Sequence, residues 1–481
     1  MGDSADVEMK DVESPQFPQH EIADQIEQSF NLLHKASVNF DNRYISMIFR
    51  DLRELRVKLV EYPQVLPYII SKVYESAPEK QKELLGVLDV KIDADKFATH
   101  KFNNHNQLIG EIELYLHLLI QINLLDRKKL SELDQFNNTV ILLMKCFNKR
   151  SLDFLQAKIW FYIARTKELL GDLYSIRPEM LAGLRTATLR HDSETQASIL
   201  TALLRNYLLT HDINQATNLI EKSQFPENGG NAFFARYYYY LAKINAIQLD
   251  YSTAHEYVIA AIRKAPQTSL SNGFVQSATK LRVIIELLMG DIPELKVFTK
   301  QTGNFEPYFN VTKAVKLGDL KLFGQVLNKF EPEFKKDDNF TLVSRLRQNV
   351  IKTGIRIISL SYSKISLKDI CIKLHLDSEE STEYIVSKAI RDGVIEATIN
   401  HEKGYMQSNE LLDVYSTKLP QNEFDQRIKF CLSLHNDSVK CMRYPSDNDD
   451  KLENNDIDES RDDEMDLLKA IEEGDLDDFM D

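Results

Sequence analysis

Two histidine–aspartate pairs, His191-Asp192 and His211-Asp212, carry the residue types of a general-base dyad, in which a carboxylate orients an imidazole that takes a proton. Each sits in a short phrase between helical segments, where an aspartate has a simpler job: accepting the free N–H groups of a helix's first turn. No nucleophile elbow GxSxG, no Gly-rich phosphate loop and no HExxH occurs in the sequence to complete such a site. Nor do histidines and acidic residues pair as in a metal-dependent deubiquitinase. The four cysteines, Cys146, Cys371, Cys431 and Cys441, show no CxxC spacing and read as buried or inert thiols of a reducing compartment. The reading is of a chain that is not an enzyme, with no cofactor and no metal.

The elements that position chemistry elsewhere in nature are nonetheless present between Arg345 and Gln407. A helix up to about Tyr362 carries Leu346, Val350, Ile351, Ile357 and Ile358 near the spacing of one buried face. Ser366 with Asp369 forms an N-terminal cap for a short helix whose Ile370 and Leu374 share a face. Asp377 with Glu380 forms a second cap, for a helix that turns Val386, Ala389 and Ile390 inward and stops at Gly393. Val394, Ile395, Ala397 and Ile399 then lead into the turn His401-Glu402-Lys403-Gly404, with Tyr405 and Met406 returning as the partner strand. Three helices and a hairpin make a winged helix, a module that often reads DNA. Here its third helix opens with Glu379, Glu380 and Glu383, three carboxylates that would meet phosphate unfavourably. Contact with protein is the expectation.

Upstream, between about Ser151 and Phe330, one phrase recurs: LLGDLYS at Leu169, LLTHDINQA at Leu208, IQLDYSTA at Ile247, LLMGDIPEL at Leu287 and VKLGDLKLF at Val315. Its aspartates Asp172, Asp212, Asp250, Asp291 and Asp319 lie 40, 38, 41 and 28 residues apart. That period marks a solenoid of helix pairs, the Asp capping each second helix and a preceding Gly or His ending each first one. In YYYYLAKINAIQLDYSTAHEYVIAAIRKAP, Ala254, Val258, Ala261 and Pro266 fall at tetratricopeptide spacing in the second helix, and Tyr238, Leu241 and Ala242 at packing positions in the first. Asn245 stands where an aromatic is expected. Tyr237 to Tyr240 cannot all face inward from one helix, so at least one should be exposed or subunit-facing.

Nearer the N-terminus, EIADQIEQSFNLLHKASVNF and YISMIFRDLRELRVKLVEYP read as amphipathic helices, the second stopped by Pro63. GEIELYLHLLIQINLLD is apolar enough to be wholly buried, His117 within it being a core histidine. Beyond the wing, a helix over about 421–443 lines Phe424, Ile428, Cys431, Leu432 and His435 on one face, either to pack on its own wing or to join helices of partners.

Of 481 residues, 43% are apolar, ample for large cores, while 16 glycines and 13 prolines are too few for an all-β or dinucleotide-binding fold. The net charge of −14 resides in residues 446–481, which hold 17 acidic and 3 basic residues and leave 56 of each sign in the rest. A neutral body argues against nucleic acid as main partner. The tail and residues 1–20 read as disordered. In the tail, Leu467, Leu468, Ile471, Leu476 and Phe479 interleave with carboxylates, fitting either a solvating tail or a segment that folds against a basic groove. No leader-like apolar stretch and no run near the roughly 20 apolar residues of a membrane span occurs, so a soluble intracellular protein is expected.

The fold expected is mainly α: a right-handed tetratricopeptide-like solenoid ending in a winged helix, then a C-terminal helix. Its parts are an N-terminal helical region over 21–150, the solenoid over 151–340, the winged helix over 341–408 and the last helix within 409–445. With the phrases YYYYLAKINAIQLDYSTAHEYVIAAIRKAP, LLMGDIPEL and VTKAVKLGDL, the 345–404 stretch and the final RYP before an acidic tail, the chain resembles the PCI-domain family, found in the proteasome lid, the signalosome and translation initiation factor three. The resemblance is strong over Asp212–Pro445 and looser before it, and is greatest to the proteasome-lid branch. It implies a PCI domain over about 230–408 and a non-catalytic scaffold in a hetero-oligomer supporting ubiquitin-dependent degradation, in cytoplasm and nucleus. Implied partners are other lid PCI subunits, a small acidic lid subunit held by the solenoid, the lid deubiquitinase module and the ATPase base, with no nucleic acid and no membrane. The winged-helix contact would fall within 362–408, at Ile365, Leu367, Ile395, Ile399 and Tyr405, and the helix with Phe424, Ile428, Cys431, Leu432 and His435 would enter a shared bundle. A signalosome or initiation-factor subunit, and a PCI-type nucleic-acid adaptor, are the alternatives.

Overall fold

Helices dominate because the apolar residues recur at helical spacing and left-handed stops punctuate them. The computed structural model describes residues 18–75, 77–88, 109–299, 304–376, 378–409 and 414–442. The readings for residues 1–17, for Asp377 as a cap and for the acidic tail lie outside the described residues. By contacts the chain divides into a large unit, up to Ile395 with Ile399–Met406, and a small one, Glu396–Thr398 with the residues from Gln407 onward.

The large unit begins with α1 (Pro18–Asn39), α2 (Arg43–Glu61), α3 (Val65–Val73), α4 (Pro78–Leu88), α5 (Gly110–Asp126) and α6 (Leu130–Cys146). As its composition predicts, α5 is buried from Glu111 to Leu124. His117 is a satisfied core residue: its Nδ1 lies 2.7 Å from the Glu113 carbonyl and its ring stacks on Phe136 at 5.5 Å. Burial first, against the Glu113 hydrogen bond, holds this imidazole below its ordinary pKa.

The solenoid follows as α7 (Asp153–Leu170), α8 (Arg177–Leu189), α9 (Ser193–Leu209), α10 (Ile213–Lys222), α11 (Asn231–Ile247), α12 (Tyr251–Lys264), α13 (Asn272–Met289), α14 (Leu295–Thr299), α15 (Glu306–Leu317) and α16 (Leu320–Lys336). At all five recurring phrases the residue before the aspartate has positive φ: Gly171, His211, Leu249, Gly290 and Gly318. Helix termination is thus the constant of the repeat, achieved once by a leucine that bears the steric cost of the left-handed region. The aspartates vary. Asp250 and Asp319 accept first-turn N–H groups as caps, but Asp172 and Asp291 precede loops, with α8 and α14 beginning several residues later. Asp212 is at the cap position yet makes no capping hydrogen bond there. It instead accepts from buried Arg177 at 2.8 Å, whose guanidinium lies between the rings of Tyr174 and Tyr207. A cationic donor fixed between two aromatic faces outcompetes a backbone N–H for the carboxylate.

Ala254, Val258 and Ala261 are fully buried at their repeat positions, and Asn245 fills the missing aromatic's place by donating to Thr253 Oγ1 at 3.2 Å. α11 belongs to both hydrophobic cores: Tyr237, Leu241 and Ile244 pack with the N-terminal one, Ala242 and Ala246 with the one reaching Val350.

The winged helix comprises α17 (Phe340–Arg345), α18 (Arg347–Ser361), β1 (Lys364–Ser366), α19 (Leu367–Leu374), α20 (Glu379–Arg391), β2 (Ala397–Asn400) and β3 (Tyr405–Ser408). Leu346, Val350 and Ile358 are buried as expected, but Ile357 is exposed and Ile355, two positions earlier, is buried in its place, after the break between α17 and α18. Ser366 caps α19 and Gly393 stops the module's third helix at φ +71°, both as read from sequence. The cap of α20 among the described residues is Ser378, whose Oγ accepts from Ser381 N at 3.2 Å. The sheet has three strands in the order β1-β3-β2, one more than the hairpin, because Lys364–Ser366 was too short to show a period of two.

In the small unit, α21 (Leu419–Met442) is the expected C-terminal helix, and none of its residues is buried. Among the described residues no helix is long and apolar enough to cross a membrane.

Candidate protein-interaction site

The histidine–aspartate pairs sit at helix ends. His191 and His211 are exposed at φ +55° and +61°, where the preceding helices end, and Asp192 accepts from Thr195 N at 3.0 Å as the cap of α9. Among the described residues no group of three or more His, Cys, Asp or Glu could hold a metal ion. The cysteines are free thiols, Cys146, Cys431 and Cys441 exposed and Cys371 half-buried, so of the two readings, buried or inert, burial is corrected.

Three surfaces remain. The first is the winged-helix sheet, whose order leaves β1 and β2 as edges with backbone groups available for pairing. Ile365, Leu367 and Ile395 turn into the module's own core, while Ile399 and Tyr405 are half-buried, the Tyr405 ring lying 3.8 Å beneath Lys364 Nζ. The strands therefore offer backbone more than those side chains. At the wing tip His401 Nδ1 lies 2.9 Å from Glu383 of α20, so a carboxylate of the helix that would enter a DNA groove is engaged within the module.

The second surface is α21. Phe424, Ile428, Cys431, Leu432 and His435 are all exposed, the three apolar ones by more than half. Phe430 and Leu434, also exposed, form a second stripe that sequence reading missed because it sought a single face.

The third is a cleft of about 470 Å³ in the solenoid, lined by Phe161, Glu168, Arg205, Arg236, Tyr239 and Tyr240 among others. Arg205 donates twice to Glu168, at 2.8 and 3.0 Å, and Arg165 once, at 2.7 Å. Burial alone would raise the Glu168 pKa, yet the hydrogen bonds and charge of Arg205 and Arg165 hold it below the usual range. One carboxylate against two guanidiniums, with Arg236 over the Phe161 ring at 5.7 Å, leaves the wall net positive. Of the four tyrosines none is exposed: Tyr237 is buried, Tyr238 stacks on Tyr257 at 5.8 Å, and Tyr239 and Tyr240 face this cleft. Two of the cleft's arginines had a shared sequence position that went unread: Arg165 and Arg205 each stand seven residues before a phrase aspartate.

A family profile described as PSMD3-like, N-terminal TPR repeats, matches residues 18–312. Over 460 residues, 95% of this chain and 91% of the relative, the sequence is 43% identical to the probable 26S proteasome regulatory subunit rpn3 of Schizosaccharomyces pombe. The chain belongs to the 26S proteasome regulatory subunit 3 family. Its relative in Saccharomyces cerevisiae, 26S proteasome regulatory subunit RPN3, is 42% identical over 88% of this chain and 87% of that one. The probable 26S proteasome non-ATPase regulatory subunit 3 of Drosophila melanogaster is 41% identical over 95% and 93%. Two further family profiles divide the remainder as the surfaces do. A PCI domain over 327–410 holds the winged helix, and a profile for the C-terminal region of a proteasome regulatory subunit, over 413–478, holds α21.

Proposed function

We propose that this chain is a non-catalytic scaffold subunit of the 26S proteasome regulatory-particle lid, supporting ubiquitin-dependent degradation by holding other subunits in place, in cytoplasm and nucleus. The observation that carries the reading is α21, a 24-residue helix with two apolar stripes and no buried residue. An isolated helix gains little stability in water, so burial of both stripes among helices of other subunits is what such a sequence is suited to. The edges β1 and β2 suit edge-to-edge stacking with neighbouring PCI subunits, and the arginine and tyrosine cleft suits the small acidic lid subunit. The lid deubiquitinase module and the ATPase base complete the proposed surroundings. The test is affinity purification of the tagged chain from its own cells, with mass spectrometry and a peptidase assay on the eluate. Recovery of lid, base and core particle with peptide-cleaving activity is the expected result; a monomer, or co-purifying RNA or initiation factors, overturns the reading.

A further inference from the structure

Helices α18 and α20 of the winged helix face each other through two short apolar ridges, Ile351 with Ile355 on one and Ile385 with Ala389 on the other. The members of each pair are four residues apart and so lie on one side of their helix. Between the ridges lies a socket of about 150 Å³, with Gln348, Lys352 and Lys388 at its mouth. Ile355 and Ala389 are buried and make its floor, while Ile351 and Ile385 are half-buried and make its walls. The small side chain of Ala389 is what leaves the hollow unfilled.

The α17–α18 wall is fixed from the solenoid side. Arg345 donates to the carbonyls of Ala246 and Ile247, both at 3.1 Å, at the end of α11, and Asn349 to those of Leu287 and Leu288 at 2.7 and 3.0 Å, at the end of α13. Gly354 abuts Gly318 at the end of α15. A hollow held open in this way costs a partner little reorganisation. It is well below the roughly 300 Å³ at which small-molecule sites begin, whereas an apolar cavity of about 150 Å³ accepts a benzene-sized group. One bulky side chain fills it.

The mouth carries excess positive charge. Lys352 pairs with Asp392 at 3.0 Å, Arg391 Nη2 lies 3.8 Å from the same carboxylate, and Lys388 makes no ion pair among the described residues. The Lys352 hydrogen bond first, and then the charges of Lys352, Arg391 and Lys388, hold the Asp392 carboxyl below its ordinary range. The carboxylates of α20, Glu379, Glu380 and Glu383, stand toward its other end, and Glu383 is engaged by His401.

We propose that this socket is a docking site for a partner chain that inserts one leucine, methionine or phenylalanine and sets an aspartate or glutamate beside it, against Lys388 and Arg391. An apolar anchor in a fitted pocket with a complementary charged rim is how a few residues supply most of an interface's affinity. The inference goes beyond the scaffold reading by giving the winged helix a side-chain anchor separate from backbone pairing at β1 and β2.

The test is photocrosslinking in the cells that make the protein. Gln348 is replaced by p-benzoylphenylalanine in the tagged full chain, and the adducts formed on irradiation are sequenced by mass spectrometry. The expected adduct is a segment of another protein that carries leucine, methionine or phenylalanine with an acidic residue next to it or one turn away. Lys388→Glu, which reverses an exposed charge at the mouth, is expected to lower the yield at least about fivefold, and Lys388→Arg to keep it. Ala389→Leu, which fills the hollow from its floor, is expected to abolish the adduct; should that variant not fold, Lys388→Glu alone decides. No adduct, adducts only to this chain's own sequence or to nucleic acid, a partner segment without the acidic neighbour, or equal yield from Lys388→Glu would overturn the proposal. Recovery of an intact lid alongside any of those results leaves the scaffold reading standing, so the two fail separately.

Discussion

α5 and α21 are both long helices with abundant apolar residues, yet one is buried from Glu111 to Leu124 and the other has no buried residue at all. α5 is buried around its whole circumference, mostly through apolar residues, and has neighbours in the chain on every side. α21 interleaves two apolar stripes with Asp425, Arg427, Lys429 and Asp437, so it can satisfy water and a partner in turn. The difference teaches that core formation and assembly are assigned to separate helices here: removing apolar atoms from α5 should damage the fold, and removing them from α21 should damage only association.

The largest expected effect is at α5. Leu118→Ala, at a fully buried position, should lower stability by about 3 kcal/mol in urea unfolding followed by circular dichroism. A loss below about 1 kcal/mol would break the contrast by showing that α5 repacks freely. Nearly as large is Gly318→Ala, expected to cost about 3 kcal/mol, because the new methyl meets the Gly354 backbone and the residue must hold φ +69°. Gly290→Ala, at φ +103° with nothing near its Cβ, should cost only about 1 kcal/mol in the same urea titrations. Equal losses at the two glycines would mean that the α15–α18 contact is not tight.

A smaller effect, of opposite sign, concerns pH. Burial, then the charge of Asp192, pushes the Asp153 carboxyl up to about 7. A folded-state pKa raised above the unfolded value binds protons in the folded state, so stability present at pH 4 should fall as pH rises through 7. Asp153→Asn should remove that slope and, the group being half-exposed, raise stability at pH 8 by about 1 kcal/mol, read as melting temperature against pH. The smallest effect is Phe424→Ala in α21, expected to change the isolated chain by less than about 0.5 kcal/mol. The same variant should cut recovery of partner subunits in affinity purification; undiminished recovery would remove that stripe from the proposed interface.

Much of this was legible in the chain because helices announce themselves locally. The five phrases located their helix ends, since a left-handed residue at a stop is a local backbone requirement. The caps of α19 and the period of α21 were equally local. What the phrases could not reveal was how each aspartate is used: Asp212 answers to Arg177, 35 residues away, a partner only packing brings near. β1 was missed because three residues carry no periodicity, and the phase of α18 slipped because a break at Leu346 resets the helical count.

The sequence by itself determined the helical class, the order of solenoid, winged helix and final amphipathic helix, and the concentration of charge in the tail, all of which follow from composition and short-range spacing. Only the tertiary structure decided that Arg165, Arg205, Arg236, Tyr239 and Tyr240 share one cleft and that Arg345, Asn349 and Gly354 meet the ends of three helices. Those groupings join residues tens of positions apart, and how stacked helices fall into register depends on side-chain packing across the whole array, which no local pattern encodes.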